Sequence, residues 1–257
     1  MGDRRREPRE TRLRLLNPHS ALAALETRPG SVHEVGLPPK GAGSAWSQVE
    51  EAARAQGVPV RVAQPAEQRG RQRGGGPKSG REGGAYAEAD PRPAVSLDEL
   101  LADPQRDGGR GLWLALDRVQ DPRNLGAVVR AAAFFGVAGL LLTRDGSAPL
   151  SSLAYDVAAG GLEYVPHAWV GNLTRDLATV KEAGIWVLGA SERGDDDVEQ
   201  VDRARPWLLI VGNEEKGLRR LTLEGCDQTC RLVPQGQVGS LNVSVAAAVL
   251  LSTLRRA

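Results

Sequence analysis

Apolar residues in the second half of the chain come as short continuous runs separated by longer mixed stretches. The runs are residues 112–116, 137–142, 184–189, 207–211 and 230–233, each of strand length. Residues 125–135, 153–159, 171–182 and 243–254 carry the wider apolar spacing of helices. Apolar strands alternating with helices predict an α/β domain with a mostly parallel sheet covered on both faces. Ordinary connection rules would leave that sheet open and unknotted.

Residues 12–90 are patterned differently. A turn at Asn17-Pro18 precedes a short helix that runs to Leu25. Residues 31–37 read as a strand. Residues 44–56 read as a helix whose apolar face is only partly defined by Trp46, Val49, Ala52 and Ala53. Residues 58–62 form a brief strand, and Pro59 argues against a central place for it in a sheet. This order makes a small α/β unit. Residues 1–11 are a charged tail, 91–111 a linker holding a short helix at 95–101, and 112–257 the second domain.

Composition adds limits. At 41% hydrophobic, 257 residues fill one large core or two small ones. A net charge of +1 announces no global basic field. Residues 1–90 hold 15 Lys/Arg against 11 Asp/Glu, a net of +4; residues 91–257 hold 18 against 21, a net of −3. An RNA-binding protein with this balance needs local arginine clusters or a partner subunit. The Gly/Arg-rich stretch 68–80 offers one cluster. Arg69, Arg71, Arg73 and Lys78, with Arg81 just beyond, either contact an RNA backbone or decorate a solvated loop. Cys226 and Cys230 have no further Cys or His nearby in sequence to complete a zinc set, so they read as ordinary thiols and no metal is expected. The N-terminus lacks the apolar run of a secretory signal, and 243–254 is too short to span a bilayer. The expectation is a cytoplasmic protein with no membrane partner.

Three stretches carry candidate chemistry. Leu116–Gly136 reads LDRVQDPRNLGAVVRAAAFFG. In it Asn124 can cap a helix after the Asp121-Pro122 turn. Arg130 sits among apolar residues, where it either reaches solvent, pairs with a carboxylate, or serves a ligand. Leu208–Leu218 reads LLIVGNEEKGL. Glu214 follows a strand, at the edge where parallel sheets bind ligands, or else Glu214 and Glu215 open a helix. Residues 232–248 read LVPQGQVGSLNVSVAAA, a strand end, a Gly-rich loop and a helix. Ser240 and Asn242 there are either helix caps or hydrogen-bonding groups for a substrate. No G-x-G-x-x-G loop and no G-x-S-x-G elbow is present, which disfavours a dehydrogenase or a hydrolase.

In order and spacing, these stretches resemble the signature motifs of the SpoU (TrmH-like) family of RNA ribose 2'-O-methyltransferases in the SPOUT superfamily. The resemblance covers about residues 112–256 and is densest in SLNVSVA, residues 240–246. It implies a C-terminal parallel-sheet domain with a trefoil knot, overruling the unknotted expectation. It implies catalytic roles for Asn124, Arg130, Glu214, Ser240 and Asn242. It places S-adenosylmethionine near Leu188, Gly189, Ala190, Gly212, Leu232, Pro234, Ser240 and Leu241, with Gly212 permitting close approach. It also implies a homodimer joined through the knot region.

The run ALAALETRPGSVHEV resembles the L30e-like substrate-binding domain that precedes many such enzymes. Arg81, Glu82 and Gly83 stand where those domains usually carry His-Gln-Gly. Two-domain relatives of this layout look most like the 23S rRNA guanosine enzymes, so a guanosine of 23S rRNA or its precursor is the expected target. A tRNA enzyme, or an inactive RNA-binding assembly protein, are the alternatives.

Overall fold

The computed structural model describes residues 12–39, 43–63 and 84–256. Arg69, Arg71, Arg73, Lys78 and Arg81 lie outside the described residues. The chain forms two compact units, one of residues 1–92 with 149–163, the other of 93–148 with 164–257.

The first unit runs β1 (Leu13–Leu15), α1 (Pro18–Thr27), β2 (Val32–Leu37), α2 (Ser44–Ala55), β3 (Val60–Val62) and β4 (Tyr86–Ala89). The sheet order is β1-β4-β2-β3; β4 is antiparallel to both neighbours and β3 is parallel to β2. The strand after Pro59 therefore sits at an edge, where a missing N–H costs nothing. β1 was not expected, because three residues are too few to show a period. Asn17 caps α1 by accepting from His19 N, with Pro18 in the first turn. Gly36 is required by Tyr86: a Cβ there would stand 2.2 Å from the ring.

Residues 149–163 complete this unit. They contain α4 (Ser152–Ala158), which the chain reaches after α3 (Pro122–Phe134) of the other unit. Asp156 Oδ1 accepts from the backbone N–H groups of Leu16 and Asn17 at 2.7 and 2.8 Å. Glu163, fully buried, takes a bidentate pair from Arg28 at 2.6 and 2.7 Å. Arg92 Nη1 donates to the Glu163 carbonyl at 2.6 Å. Burial works against the Arg28 charge, but the bonded Glu163 outweighs it and raises the Arg28 pKa. Burial lowers that of Arg92 and pushes the Tyr155 phenol up to about 12.

The second unit contains β5 (Leu112–Leu116), β6 (Leu140–Thr143), β7 (His167–Val170), β8 (Trp186–Ala190), β9 (Asp196–Asp197), β10 (Trp207–Val211) and β11 (Gln228–Arg231). All pairings are parallel, in the order β7-β6-β5-β10-β8-β11-β9. β10 lies between β5 and β8, and β11 between β8 and β9. Each late strand is inserted between two earlier ones, and this all-parallel sheet is typical of the SPOUT knot fold. Every residue of β5, β6 and β10 is buried.

One face packs Trp113, Ala115, Leu141, Leu208 and Ile210 against Leu173, Leu177 and Val180 of α5 (Leu173–Glu182). Gly139 leaves room there for Leu100, which a Cβ would meet at 2.5 Å. α3 and α7 (Val243–Arg255) pack on each other. The short α6 (Arg220–Glu224) follows β10. α3 buries Leu125, Val128, Val129 and Ala132; α7 buries Ala247, Leu250, Leu251 and Leu254. Both sets follow the i, i+3, i+4, i+7 spacing of one helix face.

Three expectations need correction. β7 was not expected, since four residues opening on His167 show too little apolar pattern. The last strand covers Gln228–Arg231 rather than 230–233, because its register is set by pairing with Leu188–Ala190 and Asp196–Asp197. α3 begins at Pro122, not 125. No helix among the described residues is long and apolar enough to cross a membrane.

Glu163→Ala leaves the Arg28 charge without its bonded anion, while the carbonyl that Arg92 bonds is kept. Urea unfolding should show a loss of about 3–5 kcal/mol, the cost of breaking a buried pair from one side. A loss below about 1 kcal/mol would mean that Arg28 finds another partner.

Candidate active site

The site is built at the carboxyl ends of β5 and β10, neighbours in the sheet. After β5 the chain turns through residues 117–121 into α3. Asp121 is the N-cap, accepting from Arg123 N at 2.7 Å, and Pro122 follows in the first turn. Asn124 is thus inside the helix and does not cap it. Its side chain is free for other work.

That work is a chain of hydrogen bonds joining all three candidate stretches. Asn124 Nδ2 donates to Glu214 Oε1 at 3.0 Å, and Asn242 Nδ2 donates to Asn124 Oδ1 at 3.1 Å. Asn242 Oδ1 in turn accepts from Ser244 Oγ at 2.6 Å and Ser244 N at 2.9 Å. An ionised carboxylate only accepts, so it fixes the amide orientation of Asn124, and Asn124 fixes that of Asn242. Asn242 is also the N-cap of α7, so the capping and bridging readings both hold, one on each side of its amide.

Glu214 lies in a tight turn, not at a helix start. Asn213 and Gly217 exchange backbone hydrogen bonds at 3.1 and 2.9 Å. Asn213 Oδ1 accepts from Glu215 N and Lys216 N at 3.1 Å, an Asx turn. Asn213 Nδ2 donates to the Arg118 carbonyl at 3.0 Å and to Glu214 Oε2 at 3.3 Å. Glu214 also takes the backbone N–H groups of Gln120 and Asp121, each at 3.3 Å. Sequence reasoning passed over Asn213 and Ser244 as site residues. Their signal was spacing: each is a small polar residue within two positions of a candidate.

A second lock lies beneath. Asp117, buried at the end of β5, pairs with Arg219 at 2.8 Å and accepts from Thr222 Oγ1 at 2.9 Å. It ties the turn after β5 to α6.

Arg130 is exposed and makes no hydrogen bond or ion pair with any described residue. Six residues beyond Asn124, it stands about 9 Å further along the helix axis. Ser240 is exposed and likewise unbonded among the described residues.

Of the residues expected to hold the cofactor, Leu188, Gly189, Ala190, Gly212, Leu232 and Pro234 lie in or just after three adjacent strands, β8, β10 and β11, whereas Ser240 and Leu241 precede α7. Leu188 and Gly189 are buried, Ala190 and Leu232 half-buried, and Pro234, Ser240 and Leu241 exposed. Two glycines there have a reason internal to the protein. A Cβ on Gly212 would stand 2.3 Å from the Gly217 carbonyl carbon, and one on Gly189 would stand 2.8 Å from Cys226 Sγ. The turn and the thiol take the space that glycine leaves.

Burial pushes the Cys226 thiol up to about 11 and the Cys230 thiol up to about 12. Among the described residues, no group of His, Cys, Asp or Glu is placed to hold a metal.

Residues 111–252 match the SpoU rRNA Methylase family. An uncharacterized tRNA/rRNA methyltransferase of Mycolicibacterium vanbaalenii is 43% identical over 159 residues, 62% of this chain and 51% of that protein. The 23S rRNA (guanosine-2'-O-)-methyltransferase RlmB of Pseudomonas aeruginosa is 44% identical over 160 residues, 62% of this chain and 63% of its own. The match thus spans about half to under two-thirds of these curated relatives. The solved structure of the SpoU methyltransferase AviRb from Streptomyces viridochromogenes, in complex with the cofactor AdoMet, aligns with a TM-score of 0.78 and 24% identity. That alignment covers 99% of this chain and 93% of AviRb, and it shows the fold.

The raised thiol pKa values predict inert cysteines. At pH 8 in the folded protein, iodoacetamide should label Cys226 about a hundredfold and Cys230 about a thousandfold more slowly than free cysteine, because so little thiolate is present. Labelling at the free rate, read by mass spectrometry, would show an opening that exposes them.

Proposed function

The chain belongs to the SpoU rRNA methylase family, and from that premise we propose that it methylates a ribose 2'-OH of RNA using S-adenosylmethionine. The observation that carries the reading is the bond chain from Asn242 through Asn124 to Glu214. It draws three distant stretches into one polar cluster at a strand edge. A guanosine of 23S rRNA is the proposed target, on the strength of the RlmB relatives.

The cofactor fits the strand-end edge in chemical character. Uncharged small residues lie beside exposed apolar ones, Val233 and Leu241, suited to an adenosine whose sulfonium carries the cation. Leu188, Gly189, Ala190, Gly212, Leu232, Pro234, Ser240 and Leu241 are the residues proposed to hold it. S-adenosylmethionine, when bound, would supply a methyl carbon from which the ribose oxygen displaces the sulfur, with S-adenosylhomocysteine as the leaving group.

The chain's own residues orient the reactants. Asn124, Glu214 and Asn242 keep the loops after β5 and β10 and the start of α7 in one arrangement, so alignment lowers the barrier. Arg130, cationic and unpaired among the described residues, holds the target phosphate and stabilises charge developing on the 2'-oxygen. A guanidinium is a poor base, so the hydroxyl proton leaves to phosphate or water rather than to Arg130 itself. Ser240 Oγ is available to the ribose. The first unit, with the basic stretch 68–81, is proposed to grip RNA.

A homodimer belongs to the same reading. After burying one face, α3 keeps one apolar residue exposed and α7 two: Phe134 is 84% exposed, and Val245 and Val249 are 49% and 41% exposed. A second copy of this chain would cover them.

Methyl transfer from labelled cofactor to separately purified, unmodified 23S, 16S and transfer RNA tests the reaction. Label should appear in 2'-O-methylguanosine of 23S RNA. Label only in transfer RNA keeps the chemistry and replaces the target. Arg130→Ala should lower transfer by about a hundredfold or more while cofactor affinity by calorimetry stays within about twofold; an equal loss of both would remove Arg130 from the reacting group. Val245→Glu with Val249→Glu should give a monomer by sedimentation, since two charges would be buried at the contact. A dimer that survives would place the interface elsewhere.

A further inference from the structure

Seven of the fifteen arginines of the second unit, Arg175, Arg203, Arg205, Arg219, Arg220, Arg255 and Arg256, each contact a carboxylate. Arg118 and Arg144 are exposed and pair with no described carboxylate. They leave adjacent strands side by side. β5 and β6 pair with Leu116 opposite Leu142, and each arginine lies two residues past that rung, at the edge that carries Asn124.

Arg118 also adopts φ 63°, the left-handed region that a residue with a Cβ avoids. Two bonds hold it there. Its N–H donates to Thr143 Oγ1 at 3.0 Å, and its carbonyl accepts from Asn213 Nδ2 at 3.0 Å. The same Asn213 amide bonds Glu214, so the Arg118 backbone is tied to the carboxylate that orients Asn124. The side-chain stem has its own slot. It lies against Gly146, itself at φ 75°, where a Cβ would stand 3.3 Å from Arg118 Cδ. The Arg144 guanidinium stands 6.0 Å above the Trp169 ring. Asp145, beside Arg144, pairs with neither arginine.

Backbone strain held in place beside a site is a pointer to function. We propose that Arg118, supported by Arg144, binds a phosphate of the RNA strand next to the target nucleotide. The inference rests on the RNA-methyltransferase reading and deepens it. A guanidinium fork matches two phosphate oxygens and asks nothing of the base. It also answers a charge deficit: residues 91–257 carry 18 Lys/Arg against 21 Asp/Glu, so this part of the chain attracts RNA through local cations that no described carboxylate neutralises, and Arg118 and Arg144 are two of these.

Arg118→Gly is the discriminating variant, because glycine takes this backbone without strain. Its melting temperature should equal or exceed that of the unaltered protein. Binding of a fluorescein-labelled RNA hairpin of about 30 nucleotides, followed by anisotropy from about 50 to 200 mM KCl, should weaken about tenfold, and the slope of log affinity against log salt should fall by about one. With Arg144→Ala added, the slope should fall by about two. Cofactor affinity by calorimetry should not change, and Arg205→Ala, at the opposite end of the strands, should bind RNA normally. Arg118→Gly holding the hairpin with unchanged affinity and slope overturns the assignment and leaves the methyltransferase reading intact. An unaltered protein that neither binds cofactor nor methylates any RNA overturns that reading, and this inference with it.

Discussion

The Glu214 carboxylate can only accept hydrogen bonds, and that one-sidedness gives the site its order. It gathers the Asn124 amide, the Asn213 amide and the backbone N–H groups of Gln120 and Asp121. Donors from two loops are thereby drawn to one point, and the loops after β5 and β10 become a single body. The direction then propagates. Asn124 must present its oxygen outward, so Asn242 must present its nitrogen, so Ser244 must donate. A neutral residue at 214 would remove the reason for every orientation after it.

Precision at this point comes from the helices beneath. Asn124 and Asn242 stand in the opening turns of α3 and α7, and those helices pack on each other through apolar stripes. A side chain at the start of a packed helix is held more closely than one on a free loop. Asp117, with Arg219 and Thr222, performs the same service for the turn after β10. Arg130 and Ser240, unbonded among the described residues, are those proposed to touch substrate, while the bonded ones build the frame.

Glycine serves this frame as much as any ligand. Gly212 lets the NEEKG turn close on itself, and Gly189 makes room for Cys226. Glycine at a strand end beside a pocket invites a reading in terms of the ligand. Here the neighbouring backbone and thiol already need the space.

The sequence by itself determined the central strands and the two helices of the site, and its resemblance to the family singled out Asn124, Glu214 and Asn242, which the structure joins. Leu112–Leu116 and Trp207–Val211 are apolar throughout because both sheet faces are covered, and that burial is visible in one dimension. SLNVSVA and GNEEKGL were legible through their resemblance to family motifs, and the helix cap at Asn242 because that signal is local; the turn that GNEEKGL forms was not. Tertiary structure alone decided the rest. β1 and β7 are too short to show a period and exist because neighbours offer ladder bonds. The last strand takes its register from Leu188–Ala190 and Asp196–Asp197, far away in the chain. The placing of β10 and β11 between earlier strands, and the use of Asn124 as a bridge rather than a cap, depend equally on remote partners. Hydrogen bonds between distant residues leave no period in the sequence that could announce them.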